Sequence, residues 1–364
     1  MGSKFFIDPD ITKAETMPAS FYRDQEVFEK LKEKVFLKSW QWIGSDELVP
    51  LPNHVHPFVL LDHFLTEPML LIRNASDQLS CLTNVCTHRG NIIANQPGKV
   101  TKLLCAYHGR RFSQNGTFEF MPEFQQAQDF PRACDDLHKF ELKSLGPHLF
   151  VGMRPKFDFD SVLKVMESRI GFLPLDQFKF ESVLSKDYLI NAHWALYCDN
   201  YLEGFHIPFV HQDLNNTLDY GSYTTEIYDY CNLQIGYAQD GVEVFDLPVG
   251  HPDYGKKVAA YFYWIFPNMM FNFYPWGLSI NIVKPISINK TKVSFLTYVW
   301  DESKLDKGAG ALLDKVERED EFVVEGVQNG IRSSFYQAGR FSPTREKGVH
   351  HFQSLLATFL NDLN

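Results

Sequence analysis

The chain has 364 residues, 45% of them hydrophobic and including 32 Phe and 16 Tyr, enough for a sizeable core and more than one small module needs. Its 45 Asp and Glu against 35 Lys and Arg leave a net charge of −10, which argues against a nucleic-acid partner. No run approaches a membrane span, the first residues lack a signal-peptide layout, and Cys81, Cys134, Cys198 and Cys231 have no disulfide-framework spacing, so a reduced cytoplasmic protein with no membrane partner is expected.

In chain order, residues 15–38 read as a helix, because Tyr22, Val27, Phe28, Leu31, Val35 and Phe36 recur at helical spacing among charges. From 39 to 155, short apolar runs beginning at Phe58, Met69 and Leu103 are broken by Pro, Gly and Asn, as in a small antiparallel module. Inside it stands Cys86-Thr-His88-Arg-Gly and then Cys105-Ala-Tyr-His108-Gly, with sixteen residues between His88 and Cys105. Two thiolates and two imidazoles at this spacing suit a tetrahedral zinc or a [2Fe–2S] cluster with Cys on one iron and His on the other. Zinc modules usually place like ligands in one loop, facing one ion. Here each loop gives one Cys and one His, as a two-iron centre requires. Around the motif, residues 86–112 hold Arg89, Lys99, Lys102, Arg110 and Arg111 and no acidic residue, so this stretch carries +5 and the remainder −15. It is a candidate docking face for an acidic electron donor, set against the commoner reading of a solvated loop.

After a helix at 160–169, aromatic and β-branched runs from Ala259, Met269 and Val293 read as antiparallel strands, and 309–337 returns to helix. Between the first helix and these strands lies Asp199-Asn-Tyr-Leu-Glu203-Gly-Phe-His206-Ile-Pro-Phe-Val-His211. In an ideal helix, residues five apart point about 140° from one another. Pro208 breaks that ladder, and a kink or π-bulge there would bring both imidazoles onto one face. A ferrous oxygen-activating site needs two His and one carboxylate on one side of the metal. Downstream, Val316, Asp320, Val323, Val324, Val327 and Ile331 share a helical face, with Glu317, Glu321 and Glu325 on others. Asp320 is then the one carboxylate in an apolar stripe, where burial without a partner is costly. A metal is expected there, with an ion pair to Arg332 as the alternative.

The Cys-x-His-Arg-Gly and Cys-x-x-His-Gly pieces resemble the large (α) subunit of the Rieske non-haem iron oxygenases, and Glu319-Asp320-x-x-x-x-Glu325 resembles that family's carboxylate helix. The likeness covers nearly the whole chain. It implies an α+β fold in three stretches: an N-terminal helical segment (1–38), an inserted antiparallel Rieske domain (39–155), and a catalytic domain (156–364). In the last, an antiparallel sheet would wrap a long C-terminal helix in a helix-grip, START-like arrangement. It also implies a [2Fe–2S] cluster on Cys86, His88, Cys105 and His108, and a mononuclear Fe(II) on His206, His211 and Asp320. The reaction would use O2 on a small substrate, with electrons from a separate NAD(P)H-dependent reductase or a ferredoxin. The motif departs from the family at Arg110, where Trp is common, and the cluster's surface contacts and potential turn on that change.

Glu203 is implied to bridge an iron-ligand histidine of one subunit to a cluster histidine of the next, in a head-to-tail homotrimer. The alternative is that it only orients His206, and Asp199 and Asn200 are weaker candidates for the same surroundings. The Asp-Asn-Tyr-Leu-Glu-x-Phe-His and Phe266-Pro-Asn…Asn272-Phe-Tyr-Pro patterns look most like the branch acting on quaternary ammonium compounds such as choline, glycine betaine, stachydrine and carnitine. Tyr201, Phe205, Tyr263, Trp264, Tyr274 and Trp276 are the candidate aromatic faces for such a cation. An aromatic-ring-hydroxylating dioxygenase is the runner-up, and a zinc-stabilised binding module the non-enzyme alternative.

Overall fold

The computed structural model describes residues 4–305 and 307–362. They form two compact units, one spanning Trp40–Pro155 and the other made of Met1–Ser39 with Lys156–Asn364. The strand pairs of both are antiparallel, and the fold is α+β. The larger unit loses and regains the chain at one place, since the Lys156 N–H donates to the Lys38 carbonyl at 2.9 Å. An insertion whose ends already meet adds little loop-closure cost to its host.

The smaller unit is built on a seven-stranded sheet in the order Trp40–Ser45, His148–Gly152, Lys139–Leu145, Leu79–Thr83, Glu67–Arg73, His54–Leu60 and Gly98–Lys99. A second sheet pairs Leu103–Leu104, Arg111–Phe112 and Phe118–Phe120. Val55, Leu70, Ile72, Leu82, Leu103 and Phe112 form a core that also contains Cys86 and Cys105. Both cysteines are therefore carried into an apolar interior.

In the larger unit the helix expected over 15–38 is divided into α1 (Ala19–Arg23), α2 (Gln25–Leu31) and a π-helical turn at Lys32–Phe36. The break falls at Asp24, whose carboxylate accepts from the Glu26 and Val27 N–H groups and starts α2 afresh. Then follow α3 (Asp160–Ile170), α4 (Trp194–Tyr201), α5 (Ile207–Val210) and α6 (Gln212–Thr217). The main sheet runs Lys179–Phe180, Lys290–Val299, Gly277–Ser287, Met269–Tyr274, Val258–Ile265, Cys231–Tyr237 and Thr224–Ile227, with Lys186–Ile190 also paired to Lys290–Val299. Met269–Tyr274 is buried along its whole length, so both its faces are covered.

The helix expected over 309–337 forms within that stretch, and a second helix follows beyond it. Helix α7 (Leu313–Gly330) ends at its glycine, and α8 (Lys347–Asn361) follows. Val349, Phe352, Leu356 and Phe359 of α8 recur at helical spacing and are buried, with the Phe352 ring 5.8 Å from Trp194 and 5.2 Å from Trp264. At Gly348, in the first turn of α8, a Cβ would come within 2.3 Å of the Leu202 carbonyl oxygen, one residue before Glu203. Backbone cannot yield as a side-chain tip can. Gly348→Ala is expected to destabilise this unit by about 1–3 kcal/mol, measured as a lower midpoint in denaturant unfolding, whereas Gly326→Ala, with nothing near its Cβ, should not lower it.

Candidate functional site

The two Cys-His loops share one backbone design. Gly90 N–H donates to the Cys86 carbonyl and Gly109 N–H to that of Cys105, both at 3.0 Å. Each glycine has φ of +72°, a left-handed conformation that a side chain would strain. The cysteines are 2% exposed and share one core cluster. The His88 and His108 rings lie 4.8 Å apart, and Nδ1 of His108 is buried without a partner. Backbone N–H groups of His88, and of Tyr107 and His108, donate to the Cys86 and Cys105 sulfurs respectively. Burial raises the Cys86 thiol pKa. At Cys105 burial acts the same way, but the donors from Tyr107, the Cys86 thiol and Asn91 outweigh it, and the pKa is lowered. Two inward sulfurs with N–H donors, two clustered imidazoles and an orphaned ring nitrogen fit a Rieske cluster.

Of the basic residues around these loops, Arg110 is not on the surface where a docking face would need it. Arg110 is 2% exposed, and its guanidinium donates to the Asp135 carboxylate at 2.7 Å and to the Asp135 carbonyl at 3.1 Å. Phe112, Phe118 and Phe130 surround it at 4.9–5.6 Å. The same Asp135 carbonyl accepts from Thr87 of the first loop at 2.8 Å, so Arg110 helps tie the loops together. Burial alone would raise the Asp135 pKa, but Arg110 prevails and holds it low. Lys102 and Arg111 share Glu119, at 2.7 and 3.3 Å. Arg89 and Lys99 remain exposed, and among the described residues no carboxylate pairs with either.

The second constellation forms where the chain stops being helical. Helix α4 ends at Tyr201, and His206 and His211 flank the single turn of α5, one at each end. Pro208 sits in the first turn of that helix, where its missing N–H costs nothing, rather than kinking a longer one. Nε2 of His206 and of His211 lie 3.5 and 3.0 Å from Oδ1 of Asp320, and a ligand atom from each of the three lies within 4.8 Å of the others. On the far side of each ring a carboxylate faces Nδ1: Glu203 for His206 at 2.6 Å and Glu319 for His211 at 2.7 Å. Burial disfavours a charged His211, yet Asp320 and Glu319 more than offset it and raise its pKa. The surroundings favour positive charge here, as two imidazoles and a carboxylate converging on one point would for a divalent metal.

Asp320 is held from α4, not by Arg332. Asn200 Nδ2 donates to Asp320 Oδ1 at 2.6 Å, and one turn earlier the Tyr197 hydroxyl donates to Glu317 at 2.5 Å. The buried line of α7 is rotated from the expected one. Glu317, Val324 and Gln328 are 1–2% exposed, whereas Val327 is 44% and Phe322 81% exposed. Asp199 turns away from this centre, bonded by the Tyr22 hydroxyl and the Gln353 amide, and burial pushes its carboxyl up to about 7.

Beside the histidines opens a cavity. Of the six expected aromatics, Tyr201 and Tyr274 line it. Trp276 stacks behind Tyr274 at 5.2 Å, Tyr263 and Trp264 are core, and Phe205 is 42% exposed against Phe209. Strand register supplies one wall that aromatic content does not reveal. Phe262 lies opposite Asn272, Asn272 opposite Ser279, and Asn281 opposite Phe295, which puts all five on one face. The available signal was Asn272, and Ser279 and Asn281 two apart, as polar residues within buried apolar strands.

Residues 177–362 match the ring hydroxylating alpha subunit family (catalytic domain), and residues 39–131 match the Rieske [2Fe-2S] domain. The chain is 28% identical over 370 residues to a chloroplastic choline monooxygenase of Arabidopsis thaliana, covering 96% of this chain and 84% of that one. It is 26% identical over 365 residues to the carnitine monooxygenase oxygenase subunit of Escherichia coli K12, covering 96% and 95%. Its fold is similar to that of a quaternary ammonium Rieske monooxygenase from work on carnitine oxidation by gut microbiota and inter-subunit electron transfer, with TM-score 0.75, 23% identity and 97% of each chain covered.

The Arg110 pairing carries a stability prediction. Arg110→Ala leaves Asp135 buried without its partner and is expected to cost about 3–5 kcal/mol. The exposed Arg111→Ala should cost under about 1 kcal/mol. Denaturant unfolding of the two variants separates these outcomes.

Proposed function

The chain belongs to the ring hydroxylating alpha subunit family, and as a Rieske oxygenase it works with a [2Fe–2S] cluster and a mononuclear iron; from that premise we propose that it hydroxylates or N-demethylates a small quaternary ammonium compound. Cys86, His88, Cys105 and His108 would hold the cluster, and His206, His211 and Asp320 the iron. Bound there, the cluster supplies electrons and the iron the activation of dioxygen, chemistry that belongs to the metals themselves. The side chains place and poise them. Glu203 and Glu319 accept the Nδ1–H of the two imidazoles, which fixes their tautomers and turns both Nε2 lone pairs toward Asp320. Asn200 aims the Asp320 carboxylate.

The observation carrying this reading is the convergence of those three ligands at the wall of an aromatic cavity. Relatives named for choline and carnitine support the substrate class. A ring-hydroxylating dioxygenase would present apolar walls to its arene, whereas Asn272, Ser279, Asn281 and Glu317 make these polar. Electrons would come from a separate NAD(P)H-dependent reductase or a ferredoxin. The cytoplasm is the proposed compartment, consistent with six unpaired cysteines and with no helix among the described residues long and apolar enough to cross a membrane. A homotrimer follows from the bridging role proposed for Glu203. Its carboxylate accepts from His206 Nδ1 and from the N–H groups of Phe205 and His206, which leaves about one acceptor position for a neighbouring subunit's donor.

Metal analysis tests the assignment. Asp320→Ala is expected to abolish turnover and mononuclear iron while leaving the visible spectrum of the cluster intact, and Glu319→Gln to weaken iron binding about 10- to 100-fold. Iron retained in Asp320→Ala but lost in Glu319→Ala would exchange their roles, and stoichiometric zinc without acid-labile sulfide would leave only the binding-module alternative. Glu203→Gln should keep both metals but slow reoxidation of the reduced cluster in a single turnover. Unchanged kinetics would confine Glu203 to orienting His206.

A further inference from the structure

The charges around the cavity restrict the substrate more than its shape does. Glu203, Glu317 and Asp320 line it, and no lysine or arginine is among the described residues that do. Glu203 is engaged with His206, and Asp320 faces both imidazoles and Asn200. Glu317 is different. One oxygen accepts from the Tyr197 hydroxyl, and the other, Oε1, is buried with no partner on a side chain only 2% exposed. Neighbouring polar groups satisfy each other, Tyr201 with Asn272, Ser279 with Asn281 and Tyr223 with Gln234. A carboxylate oxygen desolvated without compensation is costly, and it is kept where a ligand completes it.

We infer that Glu317 is the counter-ion for the substrate's quaternary nitrogen, and that the substrate is a cation carrying no carboxylate, an amino alcohol rather than a betaine. The inference rests on the quaternary ammonium reading above and narrows it. A tetraalkylammonium group has no N–H to donate, so it is recognised by an anion and by aromatic faces. Glu317 supplies the anion when the cation is beside it, since burial without one favours its neutral form, and Tyr201, Tyr223, Phe262, Tyr274 and Phe295 line the same cavity. A betaine would add a carboxylate beside Glu203, Glu317 and Asp320, with no lysine or arginine among the described lining residues to receive it. The metal's charge is no substitute, because Asp320, and Glu203 and Glu319 through the imidazoles, already oppose it.

The test is calorimetric binding to the metal-loaded protein of choline, of its uncharged carbon isostere 3,3-dimethylbutan-1-ol, and of glycine betaine. Wild type is expected to bind choline at least tenfold more tightly than either of the others. Glu317→Gln should bring choline and the isostere to within about twofold while iron content and the cluster spectrum stay unchanged, a pattern that a merely structural role would not produce. Tyr197→Phe, which keeps the charge and removes its other partner, should retain the preference. A wild-type preference for glycine betaine, or a choline preference that survives Glu317→Gln, overturns the inference and leaves the quaternary ammonium reading standing. If wild type binds neither cation but takes an uncharged arene, that reading fails and this one with it. Should Glu317→Gln not fold, a wild-type choline-to-isostere ratio near one is sufficient to overturn the inference.

Discussion

Negative charge brought under cover beside two imidazoles is the constraint to which the larger unit answers. Helix α7 delivers Glu317, Glu319 and Asp320 within a single turn, and the loop after α4 adds Glu203. Carboxylates this close repel strongly in a medium of low dielectric, and each loses hydration as it is buried. Burial pushes Glu317 well above the usual carboxylate range, the Tyr197 hydroxyl pulls against that, and the charge of Asp320 adds to the rise. The arrangement is tolerable because α4 meets α7 with one donor per turn, Tyr197 and then Asn200, and because His206 and His211 place cationic or metal-binding groups between the carboxylates.

The cluster unit solves a related problem in apolar surroundings. Two loops of equal backbone design put their sulfurs inside the core and their imidazoles toward its edge, an asymmetry suited to a cluster with two kinds of ligand. Holding the loops in register takes a third element, and Asp135 provides it by receiving Thr87 from one loop and Arg110 from the other. A guanidinium buried among three phenylalanines would be expensive alone. Paired with Asp135 it becomes a planar bridge with hydrogen bonds in fixed directions.

What could be read in the sequence followed the chemistry of ligands. Cys86, His88, Cys105 and His108, and likewise His206, His211 and Asp320, belong to residue types that few other roles require at such spacing, and the structure brings each set together. Features depending on distant partners were not legible. Arg110 looked like surface charge because Asp135, which neutralises it, lies outside the basic stretch. The buried face of α7 is not its most hydrophobic one, because this helix buries Glu317 and Gln328 against α4 and its flanking loop and leaves Phe322 in solvent. The cavity walls depend on register across Val258–Ile265, Met269–Tyr274, Gly277–Ser287 and Lys290–Val299, and aromatic content alone does not reveal which residue of a doubly buried strand faces inward.

The insertion explains how so tightly constrained a centre coexists with a second unit in the middle of the chain. Segments from the two ends of the sequence close on each other: the Phe5 N–H donates to the Asn361 side chain at 3.1 Å, and the Met17 N–H to Gln353 at 2.6 Å. Gln353 and Tyr22 then both bond Asp199, the residue next to Asn200, which steadies Asp320. The residues ahead of the insertion are therefore part of the scaffold of the histidine centre, although some 180 positions separate Tyr22 from Asp199. Because the chain departs at Lys38 and returns at Lys156 across one hydrogen bond, the intervening unit can be built to the needs of its cluster without pulling on α4. Each of the two compact units carries one of the two ligand sets.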